Sequence, residues 1–397
     1  MKFVLTFSML MSYLCLFSQN RSIQFETKTF AEIKALAKAQ NKLIFLDAYT
    51  SWCGPCKYMA KNIFTNDTVA DFYNSRFINA KIDMEKGEGI ELAKKYQVRC
   101  YPNLLYINGD GEIVHRVGGM RKTADFIQLG QLALDGKETF KDFSLKMKIE
   151  KNNSEFLKNY ISYLASTCLP VDSLVSVYFN IQTNETLYSP ENWKMIYKYV
   201  NSYTSKEFKF FVENKDKYAQ IFTKDSVDSK INDVYYSYGR SLIYSKIPKT
   251  TELENYISSL EKMSISTPKK TALYLRLENA QKNKDWKLFS QLLTESNIQM
   301  IDEKNINSIA WVVYENIEDE STLTKTAEKM KNTLKNKTEL KFFAEYDTYA
   351  SLLFKLKKKS EALEAANIAI QHAKAMNLNP EDYSSTNELI TKINTLK

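Results

Sequence analysis

The sequence predicts an α/β domain, in which helices cover both faces of a mixed sheet, followed by an all-α region. Nine of the ten glycines lie between Gly54 and Gly136, where short strands need tight turns. In this part, short apolar runs alternate with segments of helical periodicity, whereas from about residue 141 the periodicity is helical throughout. We therefore expect an α/β domain at residues 21–138 and an all-α region at 139–397, after an N-terminal segment of residues 1–20.

Strand and helix patterns alternate in the first region. A helical segment, FAEIKALAKA, precedes the apolar run KLIFLDAY, and a helix carrying Met59 and Ile63 follows. Next come an amphipathic helix, the strand FINAKID and the helix GIELAKKY. The turn residues NGDG then join the strands NLLYI and EIVHRV, and a last helix is expected from about Thr123 to Leu134. Alternation that includes a hairpin predicts a mixed sheet covered on both faces.

The second region has few helix breakers apart from scattered prolines. In its clearest segment, residues 346–374, small side chains at Ala362, Ala366 and Ala369 would let two antiparallel helices approach closely. This order resembles a tetratricopeptide repeat, and residues 274–293 and 307–330 look like degenerate helix pairs of the same kind. The pattern predicts a small irregular solenoid whose concave face binds a protein or peptide partner. A generic helical bundle is the alternative.

Composition excludes some classes of protein. Hydrophobic residues make up 44% of the chain and charged residues 26%, which is typical of globular proteins and not of disordered ones. The formal net charge is +8, but lysine and glutamate alternate along the chain and form no basic block. Alternating charge is typical of solvated helix faces, so we expect no nucleic-acid partner.

The first residues, MKFVLTFSMLMSYLCLFSQN, follow the order of a secretory signal, with a lysine, an apolar stretch and a polar end. We expect cleavage near Ser18 to Asn20 and export, with a periplasmic location. Two alternatives would keep the protein at a membrane: an uncleaved signal, or a lipid on Cys15. Leu14 is bulky for the residue that precedes a lipid-modified cysteine.

Two cysteines, Cys53 and Cys56, stand in the stretch YTSWCGPCKYM just after an apolar run. The pair could be a metal clip, a structural staple or a redox couple. A closed zinc site needs four ligands, and the chain has no second C-x-x-C motif and only two histidines, His115 and His372. A bridge over two residues constrains little of the unfolded chain. We therefore expect no metal, and a pair used for redox chemistry.

The position of the pair at a helix start predicts unequal roles for its thiols. The unsatisfied N–H groups of the first helical turn stabilise a thiolate. Cys53 is therefore expected to be exposed, with a lowered thiol pKa, and to act as the nucleophile. Cys56, one turn further in, is expected to be more buried and to act second.

The full WCGPC motif at a strand-to-helix junction resembles the active site of the thioredoxin family, and the resemblance covers roughly residues 25–135. It looks most like exported thioredoxin-like domains related to the terminal domain of thiol:disulfide interchange proteins. The resemblance implies that Asp47 is a buried carboxylate that takes the proton of Cys56, and that Lys81 pairs with it. The alternative is that Asp47 is an ordinary carboxylate at a strand end.

The same resemblance implies a substrate groove. RCYPNLLYI aligns with the family's cis-proline segment, so a cis peptide bond is expected before Pro102 and the backbone of Tyr101 should meet substrate. VGG, at 117–119, matches the loop that completes the groove. The expected substrate-binding residues are Trp52, Gly54, Pro55, Tyr101, Pro102 and Gly118. Alternatively, Trp52 fills the core.

These residues imply a dithiol/disulfide enzyme without a bound cofactor, because the Cys53–Cys56 disulfide itself carries the electrons. The Gly-Pro dipeptide between the cysteines favours reduction or isomerisation of protein disulfides. This requires an external electron donor, and a membrane-embedded donor is one expected source. The helical region would dock a protein or peptide partner. The alternative is a helical-repeat adaptor in which the thioredoxin-like module is not essential.

Two further cysteines are expected to be inert. Cys100 lies two residues before Pro102, where we expect a buried, unreactive thiol. A sharper hypothesis makes Cys100 a third redox thiol. Cys168, in the helical half, is expected to pack as a small hydrophobic residue.

Overall fold

A computed structural model describes residues 21–335 and 337–396. The expected signal segment and Cys15 lie outside these residues. The chain divides into two compact units, with the boundary between Val200 and Asn201. The domain boundary predicted at 138/139 follows the last helix of the α/β pattern. The first compact unit extends further and also includes the helices up to Val200. In the described part of the chain, no helix is both long and apolar enough to span a membrane.

The first unit has a mixed sheet with helices on both faces, as predicted. Its elements are α1 (Phe30–Gln40), β1 (Leu43–Tyr49), α2 (Gly54–Asn62), α3 (Asp67–Arg76), β2 (Phe77–Asp83), α4 (Gly89–Lys95), β3 (Asn103–Ile107), β4 (Ile113–Gly118), α5 (Thr123–Asp135), α6 (Phe140–Lys146), α7 (Ser154–Ser166), α8 (Asp172–Asn180) and α9 (Pro190–Tyr199). Within residues 21–335 and 337–396, the sheet order is β2-β1-β3-β4. β1 runs parallel to β2 and antiparallel to β3, and β3 and β4 form the predicted hairpin.

Side chains of β1 alternate between two cores, because successive residues of a strand face opposite sides of the sheet. Phe45 packs on one side with residues of α2, α3 and α5, including Met59 and Phe126. Ile44 and Leu46 pack on the other side against α1 and α4. The buried apolar run KLIFLDAY is therefore the centre of the domain and fixes where the loop after Tyr49 emerges.

The second unit is helical. Its helices are α10 (Lys206–Glu213), α11 (Lys215–Phe222), α12 (Lys224–Ile243), α13 (Thr250–Glu261), α14 (Ser266–Lys282), α15 (Trp286–Leu292), α16 (Glu295–Met300), α17 (Glu303–Asn316), α18 (Glu320–Leu334), α19 (Phe343–Lys355), α20 (Lys359–Ala375) and α21 (Ser384–Asn394). Short 3-10 turns occur at Thr186–Tyr188 in the first unit and at Pro380–Tyr383 in the second.

Close helix approach in the second unit depends on small residues. Ala350 of α19 and Ala362 and Ala366 of α20 are fully buried in one cluster, so the predicted helix pair is confirmed. Gly239, which lies in α12, faces α14 so closely that a Cβ atom there would stand 2.4 Å from Cδ1 of Leu275. Whether these pairs form a true tetratricopeptide array stays a prediction.

Candidate active site

The cysteine pair lies where β1 gives way to α2, and Cys53 and Cys56 form a disulfide. Cys53 is the N-cap of α2, and its Sγ accepts a hydrogen bond from the backbone N–H of Cys56 at 3.1 Å. Pro55 occupies the first turn, where its missing N–H costs no helical hydrogen bond. The predicted setting at a helix start is therefore found, and the first-turn N–H groups lie where they would stabilise a thiolate at position 53.

The expectation that Cys53 is exposed is wrong for the disulfide form. Cys53 is 3% exposed and Cys56 is 2% exposed. In this form the Cys53 sulfur is bonded to the Cys56 sulfur and accepts a hydrogen bond from the Cys56 N–H, so it lies against the first turn of α2. Both sulfurs are therefore almost equally shielded in this state.

Two aromatic side chains stand beside the pair. Trp52 is 65% exposed, so it is not core filler. Its ring meets the ring of Tyr101 edge to face, with centroids 6.0 Å apart, and its Nε1–H donates to Oε2 of Glu85 at 2.9 Å. This contact brings two predicted groove residues from different loops into one exposed apolar rim.

The predicted cis peptide bond between Tyr101 and Pro102 is present. The backbone N–H of Gly119 donates to the carbonyl of Pro102 at 2.8 Å, so the segment before β3 and the end of β4 are tied together. Gly118 is buried, and a Cβ atom there would stand 2.7 Å from Sγ of Cys100. Gly118 thus packs against the sulfur atom of Cys100, whereas the neighbouring Gly119 is partly exposed.

Asp47 lies in the middle of β1 and is 1% exposed. By strand alternation it shares the sheet face of Phe45, which α2 covers through Met59. Cys56 precedes Met59 by three residues and so lies on the same side of α2. The carboxylate therefore sits on the side of the sheet toward which the second cysteine faces.

Burial dominates the electrostatics of Asp47. No described residue donates a hydrogen bond to either carboxylate oxygen. Removal from water raises its pKa from the ordinary 3.8 to about 6, although the positive charge of Lys81 acts to lower it. Lys81 is the residue paired with Asp47 across β1 and β2, and its Nζ is 3.8 Å from Oδ2. The structure thus brings the two predicted residues together, and Asp47 is no ordinary strand-end carboxylate.

The part of the chain that holds this site resembles known proteins. Residues 30–133 match the family model of the thioredoxin-like domain. Thioredoxin-1 of Drosophila melanogaster is 35% identical over 85 residues, which cover 21% of this chain and 75% of the fly protein. The chain belongs to the thioredoxin family. Together with the Cys53–Cys56 pair, membership makes it a thioredoxin-like thiol-disulfide oxidoreductase.

Two more relatives match the thioredoxin domain. Thiol:disulfide interchange protein DsbD of Yersinia pestis is 33% identical over 96 residues. The match covers 23% of this chain and 16% of that protein. The solution structure of a proposed disulphide isomerase of Bacteroides thetaiotaomicron is 43% identical, covering 30% of this chain and 98% of that one, with a TM-score of 0.28.

The first unit contains a second disulfide, which the sequence did not predict. Cys100 is bonded to Cys168 across a sequence separation of 68, so neither the inert thiol nor the packed hydrophobic residue is correct. Tyr163 of α7 is hydrogen-bonded to Arg116 of β4, and Cys168 follows the end of α7 in a left-handed conformation with φ of 59°. The signal available in the sequence was the presence of two further cysteines in a chain expected to be exported.

A buried arginine of the thioredoxin domain was also missed. Arg116 is 2% exposed, and its guanidinium donates to the carbonyls of Tyr96 at 2.7 Å and Gln97 at 3.3 Å and to Oδ1 of Asn103 at 3.3 Å. Burial lowers its pKa to about 10. Arg116 therefore fixes both ends of the segment that contains Tyr101 and Pro102. Nothing in the alternating strand pattern distinguishes it from an exposed charge.

Proposed function

We propose that this chain is an exported thiol-disulfide oxidoreductase that reduces or isomerises disulfides of protein substrates and docks them on its helical unit. One observation carries the proposal. A Cys53–Cys56 disulfide stands at the start of α2, with the buried carboxylate of Asp47 on the sheet face below it. A structural bridge needs no carboxylate in this position, whereas thiol exchange needs a proton acceptor there.

The geometry supports a division of labour between the two thiols. In the reduced protein, the Cys53 thiolate would attack a substrate disulfide and form a mixed disulfide. Cys56 must then lose a proton in order to attack Cys53 and release the reduced substrate thiol. With a pKa of about 6, Asp47 is ionised at neutral pH and can accept that proton. Lys81, 3.8 Å away, favours the ionised carboxylate.

A trapping experiment tests the two thiol roles separately. Insulin is supplied with dithiothreitol, and turnover by the wild-type chain is compared with that of Cys53→Ser and Cys56→Ser. We expect both variants to lose turnover. When the reduced variants are freed of dithiothreitol before insulin is added, only Cys56→Ser should retain a mixed disulfide with insulin. Equal turnover by wild type and Cys53→Ser would favour the adaptor alternative, in which the thiols matter little.

The direction of electron flow is part of the proposal. A reductant should have a potential near that of thioredoxin, about −270 mV, and would need an external dithiol donor. A redox titration of Cys53–Cys56 tests this, since a potential above about −150 mV is typical of an oxidant. The proposal of export rests on the order of a secretory signal in residues 1–20 of the sequence.

Docking is assigned to a cleft of the second unit. The cleft has a volume of about 1160 Å³ and lies among α12, α14 and α17. Its wall includes Tyr236 and Tyr244, whose hydroxyls both donate to Glu278, at 2.6 and 2.9 Å. Tyrosines beside charges of both signs suit a mixed polar and apolar peptide. We propose that it holds an extended segment of a substrate protein.

The docking proposal is tested by comparing trapped substrates. Cys56→Ser is used as a trap, alone and combined with Tyr274→Ala, which removes a ring from the cleft wall. We expect the combined variant to trap fewer exported proteins while it forms the insulin adduct at an unchanged rate. An identical set of trapped proteins would show that the cleft selects nothing.

A further inference from the structure

The second disulfide joins two functionally different segments of the first unit. Cys100 lies in the loop between α4 and β3, two residues before Pro102. Cys168 follows the end of α7, outside the 30–133 segment that matches the thioredoxin-like family model. The bond therefore attaches the predicted substrate-contacting segment to a helix that this chain adds to the domain.

Accessibility distinguishes the two ends of this bond. Cys168 is exposed and Cys100 is half-buried, whereas Cys53 and Cys56 are both buried. Thiol exchange requires a thiolate to reach one sulfur while the other leaves. An incoming thiolate would therefore reach Cys168, and Cys100 would be the leaving group.

Contacts around Cys100 show what the bond holds in place. A Cβ atom on Gly118 would stand 2.7 Å from Sγ of Cys100 and 3.2 Å from Sγ of Cys168, so the disulfide lies directly on the end of β4. Nδ2 of Asn103 lies 3.8 Å from Sγ of Cys100, a weak hydrogen bond. Buried Arg116 is hydrogen-bonded to Asn103 on the inner side of the Tyr101–Pro102 segment. The disulfide restrains the same segment at Cys100, on its outer side.

Helix α7 has an attachment to the sheet that does not involve sulfur. The hydroxyl of Tyr163 donates to the carbonyl of Arg116 at 2.9 Å and lies 3.1 Å from Nδ1 of His115. Opening the disulfide would therefore leave the Tyr163 contact between α7 and β4 in place. The change would be confined to the loop around Cys100 and to the residues that follow Thr167.

We propose that Cys100 and Cys168 form a second exchangeable disulfide, which dithiols open by attack on Cys168 and whose closure positions the Tyr101–Pro102 segment for substrate. A thiolate of the dithiol bonds to Cys168 Sγ, the Cys100–Cys168 bond breaks, and the Cys100 thiolate takes a proton from water. The second thiol of the dithiol is deprotonated and displaces Cys168, which is protonated in turn. The dithiol loses two electrons as it becomes a disulfide, and the protein gains them as two thiols.

Alkylation of the full chain tests the exchange step. Cys53→Ser/Cys56→Ser removes the first couple, so the test is independent of the proposed function. The oxidised variant is treated with dithiothreitol or glutathione in the absence of denaturant, alkylated, and digested for peptide mass spectrometry. We expect dithiothreitol to expose both cysteines to the alkylating reagent, and glutathione to be found on Cys168 with Cys100 alkylated.

Two results would overturn the exchange. One is that both cysteines resist alkylation after dithiothreitol treatment until urea unfolds the protein, which makes the bond a structural staple. The other is glutathione on Cys100, which reverses the assigned leaving group.

The positioning role, which rests on the proposed function, needs a kinetic readout. With the Cys53–Cys56 pair intact, Cys100→Ser/Cys168→Ser should raise the KM for insulin about fivefold, or about 1 kcal/mol of binding free energy. Its reaction with a small aromatic disulfide should be unchanged, because that substrate needs no groove. Tyr163→Phe keeps the bond and serves as the matched control, with an unchanged KM. An unchanged KM in the double variant would overturn the positioning role. If the wild-type chain does not reduce insulin at all, the proposed function is rejected, but the alkylation result still tests the exchange of Cys100–Cys168.

Discussion

Burial of the Asp47 carboxylate should lower the free energy of unfolding of the thioredoxin domain at neutral pH. Its pKa is 3.8 in its ordinary state and about 6 in the folded chain. The folded state therefore binds more protons than the unfolded state between these values, and stability falls as pH rises through this window. Above pH 6 the ionised carboxylate costs about 3 kcal/mol, at about 1.36 kcal/mol for each pKa unit.

Asp47→Asn removes this titration while keeping the shape of the side chain. We expect the oxidised variant to be more stable than wild type by about 3 kcal/mol at pH 8, with the difference shrinking toward pH 4. Urea unfolding followed by pulsed hydrogen exchange of peptides from β1 and β3 measures the stability of the sheet separately from that of the helical unit. A difference that does not change with pH, or a wild type more stable at pH 8, would refute the reasoning.

Lys81→Met supplies the matched control. Lys81 acts to lower the pKa of Asp47, so its removal should raise that pKa further and deepen the loss of stability above neutral pH. In the Asp47→Asn background, the same substitution should have no pH-dependent effect. A double-mutant cycle at two pH values measures this coupling.

Three other substitutions should have specific effects. Gly239→Ala inserts a methyl group against Leu275 and should destabilise the helical unit by about 1–3 kcal/mol, seen in urea unfolding by circular dichroism. Tyr163→Phe loses the hydrogen bond to the Arg116 carbonyl and should cost about 1 kcal/mol, with faster hydrogen exchange in β4. Trp52→Ala removes half of the exposed rim and should raise the KM for insulin without slowing reaction with a small disulfide, as steady-state kinetics would show.

Local sequence patterns were sufficient to predict the sheet and the Cys53–Cys56 redox pair. The run FINAKID coincides with β2, and NLLYI with β3, because short apolar runs bounded by turns encode buried strands directly. The setting of Cys53 at a helix start depends on residues adjacent in sequence. The pairing of Asp47 with Lys81 required the resemblance as well, since the register of two parallel strands is not local information.

Long-range packing could not be predicted in this way. The Cys100–Cys168 bond joins residues 68 positions apart, and no periodicity of the sequence specifies which later segment comes to lie beside Cys100. Burial of Arg116 has the same origin, since its partners are carbonyl groups of a loop 19 and 20 residues away. The expected exposure of Cys53 was wrong because position at a helix start does not specify how closely the neighbouring residues cover the sulfur.

Tyr163 has a consequence for how the protein can assemble. β4 is an outer strand of the sheet, and its Arg116 N–H donates to the Tyr163 hydroxyl at 3.3 Å while the Arg116 carbonyl accepts from it at 2.9 Å. One phenol thus occupies both main-chain groups of Arg116, which a strand from another molecule would use for pairing at this position. Sheet-to-sheet polymerisation along this border is blocked at its midpoint for as long as α7 stays docked.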